Sequence, residues 1–173
     1  VPEGTPVWAL PEERLLVAPP VSEVMRAVDG VLVRGSEELL AREVSDIVIA
    51  GMSMANVLPR LIEGAVVVIA ADRAETLLAV SMAHEAAGFP TLGAVVLNGG
   101  FEIPESVERL LDGVGAVLPV IRTPHGTFDT AQRIVHARGL LTEESPRKFD
   151  TALALFHEHV DTDELRERLR LHR

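Results

Sequence analysis

Five short runs of apolar, largely β-branched residues recur along the chain, each separated from the next by a stretch with the spacing of a helix. They are VLV at residues 31–33, IVIA at 47–50, VVVIA at 66–70, AVVL at 94–97 and AVLPVI at 116–121, with VWAL at 7–10 a candidate sixth. Between them, residues 22–28, 37–42, 53–62, 74–87 and 104–111 read as helices bounded by Gly or Pro. A strand that is apolar at nearly every position is buried on both faces, the condition of a parallel sheet covered by helices on either side. The expected fold is α/β: a three-layer α/β/α domain on a mostly parallel five- or six-stranded sheet.

After the fifth run the alternation stops. Residues 126–138, 145–160 and 161–171 read as helices with no strand between them. Ser145-Pro146 is a good helix opening, because Ser can cap free N–H groups and Pro suits the first turn. Phe149, Ala152, Leu153, Phe156 and Val160 fall on one face at helical spacing, so that helix is expected to dock on the domain. Asp161-x-x-Glu164 is a capping-box variant that opens the last helix. The division expected is 1–20 as the end of a preceding domain or a linker, 21–140 as the α/β domain, and 141–173 as C-terminal helices leading to a next domain. A start on Val amid Pro and Gly fits a piece of a longer polypeptide.

With 173 residues a domain can bury about 70% of the surface its unfolded chain exposes, enough for a core without staples. Cysteine is absent, which removes disulfides, thiolate metal sites and thiol nucleophiles, and makes a cytoplasmic home the expectation. A formal charge of −10 repels nucleic-acid phosphates and anionic lipid. The longest apolar runs fall far short of the roughly 20 residues that span a bilayer. Neither nucleic acid nor membrane is expected as a partner.

Ligands of open parallel sheets bind at the carboxyl ends of the strands, where loops and helix N-termini converge. Four such loops are legible: Gly51-Met52-Ser53, Asp72-Arg73, Asn98-Gly99-Gly100 and Thr123-Pro124-His125-Gly126-Thr127. The two glycines can take positive φ or admit a close neighbour, and helix-start N–H groups favour an anion. Each position also has a plain structural reading. Asp72 suits the N-cap of the helix at 74–87, and Gly-Gly after a strand is an ordinary tight turn. Arg73 is different, since a cation at a helix N-terminus opposes the macrodipole and calls for a carboxylate or a bound anion. The expectation is that Arg73 reaches such a partner near Asn98-Gly99-Gly100, tying two strand-end loops together.

Catalytic and metal signals are weak. There is no Walker-type loop, no Rossmann glycine pattern and no His-Glu-x-x-His. His157 and His159, two apart on a helix, share no face, and His84 reads as a packed helix residue. His125 is the only histidine in a strand-end loop, an acid/base candidate that could be drawn into a relay with Ser53 and Asp72 or Asp129. No catalytic residue, metal or cofactor is assigned.

Ala71-Asp72-Arg73 after the third run and Leu97-Asn98-Gly99-Gly100 after the fourth resemble the two clusters for which the DRTGG domain is named, with Asn98 in place of the usual Thr. Val7-Trp8-Ala9-Leu10-Pro11-Glu12 is similar to the last strand of the domain that precedes this one in long-form phosphate acetyltransferases. Leu118-Pro119-Val120 with Thr127-Phe128-Asp129-Thr130-Ala131, and the stretch from Lys148 to Leu169 including His159-Val160-Asp161, are similar to that family's fifth strand, next helix and domain end. The resemblance implies the central domain of an enzyme that interconverts acetyl-CoA plus phosphate with acetyl phosphate plus CoA. It places acetyl transfer in a separate C-terminal domain and implies a regulatory and oligomer-organising role for this one. The partners implied are neighbouring domains of the parent chain, further copies of itself, and a small metabolite effector. The competing reading is a small-anion or nucleotide-binding sensor or enzyme module that acts through the strand-end loops, Arg73 and the Asn98–Gly100 loop holding a phosphate; the ligand-binding or inter-loop candidates are Asp72, Arg73, Asn98, Gly99, Gly100 and Thr127.

Overall fold

Residues 5–115, 117–139 and 146–169 are described by the structure, a computed structural model. All five apolar runs contribute strands: β1 (Val31–Arg34), β2 (Ile47–Ile49), β3 (Val66–Ala70), β4 (Ala94–Asn98) and β5 (Val120–Arg122). They form one sheet in the order β1-β5-β4-β3-β2. The pairs β2–β3, β3–β4 and β4–β5 are parallel, while β1 runs antiparallel to β5 at the edge. The mostly parallel α/β sheet is thus as expected, with five strands. Residues 7–10 are not a sixth: they lie in irregular chain, with Val7 and Leu10 exposed. Pro6 and Pro11 bracket that run and each removes a ladder donor.

The central strands alternate between two apolar layers. Val67 and Ile69 of β3, with Val95 and Leu97 of β4, pack into one layer; Val66, Val68, Ala94 and Val96 pack into the other. The first layer is closed by α3 (Met54–Val57), α4 (Ala74–Glu85) and α5 (Glu105–Val114), through Val57, Leu77, Val80, Val107 and Leu111. The second is closed by α2 (Val21–Ala27) and α6 (Thr127–His136), through Val21, Val24 and Ile134. Both faces of each central strand are consumed, which is why the sequence there shows no polar alternation.

Some helical readings shorten. Residues 37–41 form a 3-10 helix, and the stretch read as one helix at 53–62 is α3 followed by a 3-10 turn at Leu58–Arg60, where Pro59 limits the α-helix. The turn from α2 into β1 is a Schellman closure: Asp29 donates its N–H to Arg26 O and Gly30 donates to Met25 O. The left-handed position is held by Asp29, at φ +48°, where glycine is the usual occupant.

By contacts the chain divides into two compact units, Ala18–Gly139 and the flanking segments. In the flanking unit α1 (Arg14–Val17) contacts α7 (Pro146–His159), and α8 (Thr162–Leu169) follows. Asp161 caps α8 as expected, with Oδ1 accepting from the N–H groups of Asp163 and Glu164 at 3.1 and 2.9 Å. Ser145, the proposed cap of α7, lies outside the described residues. Along α7, Phe149 and Leu153 are exposed while Val160, just past its end, is buried, so the apolar face read from spacing is not buried along its length.

Candidate functional site

The direction of the crossovers locates a crevice. The loop after β4 leads to α5 on one face of the sheet, and the loop after the adjacent β5 leads to α6 on the other. Neighbouring strands whose connections part to opposite faces leave a cleft at their carboxyl ends, where ligands of α/β sheets bind. Asn98, Gly99 and Gly100 form one wall and Thr123 to Thr127 the other.

Four of the six sequence candidates meet there. Asn98, the last residue of β4, is 4% exposed and donates from Nδ2 to the Thr127 hydroxyl at 2.9 Å. Its Oδ1 is buried with no partner among the described residues, as is the hydroxyl of Thr130, one turn further along α6. Gly99 and Gly100 take φ of +96° and +77°, conformations that side chains rarely adopt. This path lets the Gly99 N–H reach His125 O at 2.7 Å and the Gly100 N–H reach Thr123 O at 3.0 Å, stitching the walls together. Thr127 is the exposed first residue of α6, after an N-cap, Gly126, that has no side chain to cap the helix.

Asp72 and Arg73 stand apart from this group. Asp72 does not cap α4: the Arg73 N–H closes a turn onto Ala70 O at 2.8 Å, so Arg73 takes the N-cap position and Asp72 lies exposed one residue earlier. Arg73 finds a carboxylate, Glu75 at 3.2 Å, but its other bond goes to Ala50 O at 2.9 Å, beyond β2. It therefore ties β3 to β2 and not to the Asn98 turn. The link expected of it is made by the main chain, where Ala71 N–H donates to Asn98 O at 2.9 Å. Glu75 is held below the ordinary carboxylate range by its own backbone N–H, and further by the Thr76 hydroxyl and Arg73, with burial opposing.

Beside the crevice lies a cluster that the sequence announced only in part. His125 directs Nε2 to Asp29 Oδ2 and Nδ1 to Asp129 Oδ2, each at 2.9 Å. Arg133 bridges the same two carboxylates at 3.0 Å and donates to Ala27 O at 3.1 Å. The His125 hydrogen bond is the largest influence that lowers the Asp29 carboxyl below its ordinary value; Arg133 adds to it and burial opposes. With both ring nitrogens engaged by carboxylates, His125 has none to offer Ser53, whose hydroxyl accepts from Asn56 at 3.1 Å. A Ser53–His125 relay is therefore not assembled. Of its members the sequence offers His125 and Asp129, the pair drawn with Ser53, and does not single out Asp29 or Arg133.

Several comparisons with known proteins bear on this chain. A family model described as the DRTGG domain matches residues 23–137. Phosphate acetyltransferase from Nitratidesulfovibrio vulgaris is 31% identical over 164 residues, covering 94% of this chain and 23% of that protein. The enzyme of the same name from Deinococcus radiodurans is 31% identical over 150 residues, covering 86% of this chain and 21% of that protein. That from Synechocystis sp. is 22% identical over 157 residues, covering 90% and 22%. The chain thus spans less than a quarter of the length of these curated relatives. Among solved structures, the CBS and DRTGG domains of the regulatory region of Clostridium perfringens pyrophosphatase, complexed with the activator diadenosine tetraphosphate, match with a TM-score of 0.53 and 18% identity. That match covers 75% of this chain and 53% of the other, and at such identity it speaks for the fold alone.

Proposed function

The chain belongs to the DRTGG domain family, and from that premise we propose that it is a non-catalytic regulatory domain of a phosphate acetyltransferase. The observation that carries the proposal is the match to enzymes of that name over 94% and 86% of this chain but only 23% and 21% of theirs. Segments 1–20 and 141–173 would connect to neighbouring domains, and the parent would work in the cytoplasm as an oligomer that this domain helps to organise. Among the described residues no helix is long and apolar enough to cross a membrane.

Regulation requires a ligand that favours one of two arrangements of the parent enzyme. The β4–β5 crevice is the sensor surface favoured by geometry, and the DRTGG-containing neighbour, whose regulatory region was solved with a nucleotide activator, supports a small phosphorylated metabolite as the signal. Arg73 is not part of that surface, since its guanidinium is committed to Ala50 and Glu75. The 173-residue chain is expected to form no acetyl phosphate from acetyl-CoA and phosphate, measured by trapping the product as its hydroxamate. Product formation by this chain alone would overturn the regulatory reading.

A further inference from the structure

His125 meets a carboxylate oxygen at each ring nitrogen, Asp29 Oδ2 at Nε2 and Asp129 Oδ2 at Nδ1, both at 2.9 Å. A flipped ring would put carbon in both places, so the two contacts fix its orientation. Ionised carboxylates only accept, and a neutral imidazole has one N–H to give; the cation has two. The surrounding charges point the same way. Among the described residues, those facing the ring are Asp29, from the turn between α2 and β1, and Asp129 and Arg133, from α6; the neighbouring Asn98–Gly100 turn brings none. Arg133 bridges the same two carboxylates at 3.0 Å. One permanent cation against two anions leaves a single negative charge, which a second proton on His125 balances.

What His125 holds gives that proton a consequence. Its carbonyl accepts the Gly99 N–H at 2.7 Å, and its own N–H donates to Thr123 Oγ1 at 3.3 Å. One residue thus joins the two walls of the crevice through its main chain, and joins the α2–β1 turn to α6 through its side chain. We propose that His125 is a proton-operated latch on the crevice wall. As the imidazolium it binds Asp29 and Asp129 together. When it gives up one proton, one of the two contacts becomes a bare nitrogen facing a carboxylate oxygen and opens, leaving Arg133 as the only side chain that bridges the pair. The ring is 20% exposed, so the proton exchanges with solvent without unfolding. As a regulatory device the latch rests on the reading of the crevice as a sensor surface, and it makes ligand binding there answer to pH.

The test is a pH titration of the 173-residue chain from about pH 5 to about pH 9, with imidazole nitrogen and backbone amide resonances recorded together. At the acid end both ring nitrogens of His125 should carry protons; as one becomes bare, the amides of Asp29, Gly30 and Gly99 should move with the same midpoint. A ring nitrogen already bare at the acid end, or amides that stay in place or follow another midpoint, overturns the proposal. The field of a titrating ring also moves nearby amides, and Asp129→Asn separates the two causes. An Asn side chain can donate to the bare nitrogen, so both contacts survive in the neutral ring, and the movement at Asp29 and Gly30 should fall to less than about half. Unchanged movement in that variant overturns the latch. The first titration uses the unaltered chain and no ligand, so its failure removes the latch and leaves the sensor reading, whereas a metabolite panel that binds nowhere removes the sensor reading and leaves the latch.

Discussion

Replacing Asn98 by Val separates a residue kept for binding from one kept for stability. The Asn98 amide makes one hydrogen bond, to the hydroxyl of Thr127 at 2.9 Å, a contribution of about 0.5–1.5 kcal/mol. Its Oδ1 is buried without a partner among the described residues, which costs about 1–3 kcal/mol. Valine removes both terms. It also puts apolar carbon where only 4% of the residue is exposed, at about 0.8 kcal/mol per buried methylene equivalent, and its branched side chain suits the end of a strand. Thr127 is exposed and its freed hydroxyl turns to water, so no new orphan is created. The balance is a gain of about 1–2 kcal/mol, or a rise in Tm of roughly 3–8 °C for a unit of this size. Urea denaturation of the 173-residue chain followed by far-UV circular dichroism measures it. A loss of 1 kcal/mol or more would show that Asn98 is a structural hydrogen-bonding residue and that its unpaired oxygen is no mark of function.

Three further outcomes follow from the geometry. Gly93→Ala places a methyl 2.9 Å from Gly64 O at the start of β4, and the backbone shift this forces should cost about 1–3 kcal/mol by urea denaturation. Asp29→Ala and Asp29→Gly both lose the contacts to His125 and Arg133, but only glycine relieves the positive φ, so alanine should be the less stable of the two by about 1 kcal/mol in the same assay; equal values would contradict the strain argument. His84, with its side chain 6% exposed, accepts the Leu92 N–H at Nδ1, and burial depresses its pKa below the ordinary 6.5. A depressed histidine favours the fold while neutral: its contribution is present above pH 6.5 and declines as pH falls from there toward the lower folded value. Thermal melts should show His84→Gln, which keeps an acceptor, flattening the pH dependence of Tm just below neutrality.

The sheet was legible because its central strands are buried on both faces, so VVVIA and AVVL show unbroken apolar character that few other contexts permit. VWAL at 7–10 has the same local look and no strand beside it, and local pattern cannot report a missing neighbour. The carboxyl-end loops were legible for the same reason, since strand ends fix them, and Asn98, Gly99, Gly100 and Thr127 do converge. The direction of Arg73 was not. β3 lies between β4 and β2, and the sequence does not say which flank a side chain at its end will reach. Asp72 was misplaced by one residue because a single turn bond, Arg73 N–H to Ala70 O, moves the N-cap along the chain. The His125 cluster was legible only as His125 with Asp129; Asp29 was not, because it lies in a turn 96 residues away from His125 and is brought alongside by the antiparallel return of β1 beside β5.

The central claim, that this domain senses and does not catalyse, is tested most directly by calorimetric titration of one metabolite panel (inorganic phosphate, nucleotides, NADH, pyruvate and CoA) into the 173-residue chain and into the full-length parent protein, proposed above to be a phosphate acetyltransferase. The account predicts that the metabolite which alters the parent's rate binds both, and that acetyl-CoA changes its affinity for the parent by the same factor by which it changes the affinity for acetyl-CoA. A regulator that binds the parent but leaves the isolated chain silent would place the sensor elsewhere and contradict the account.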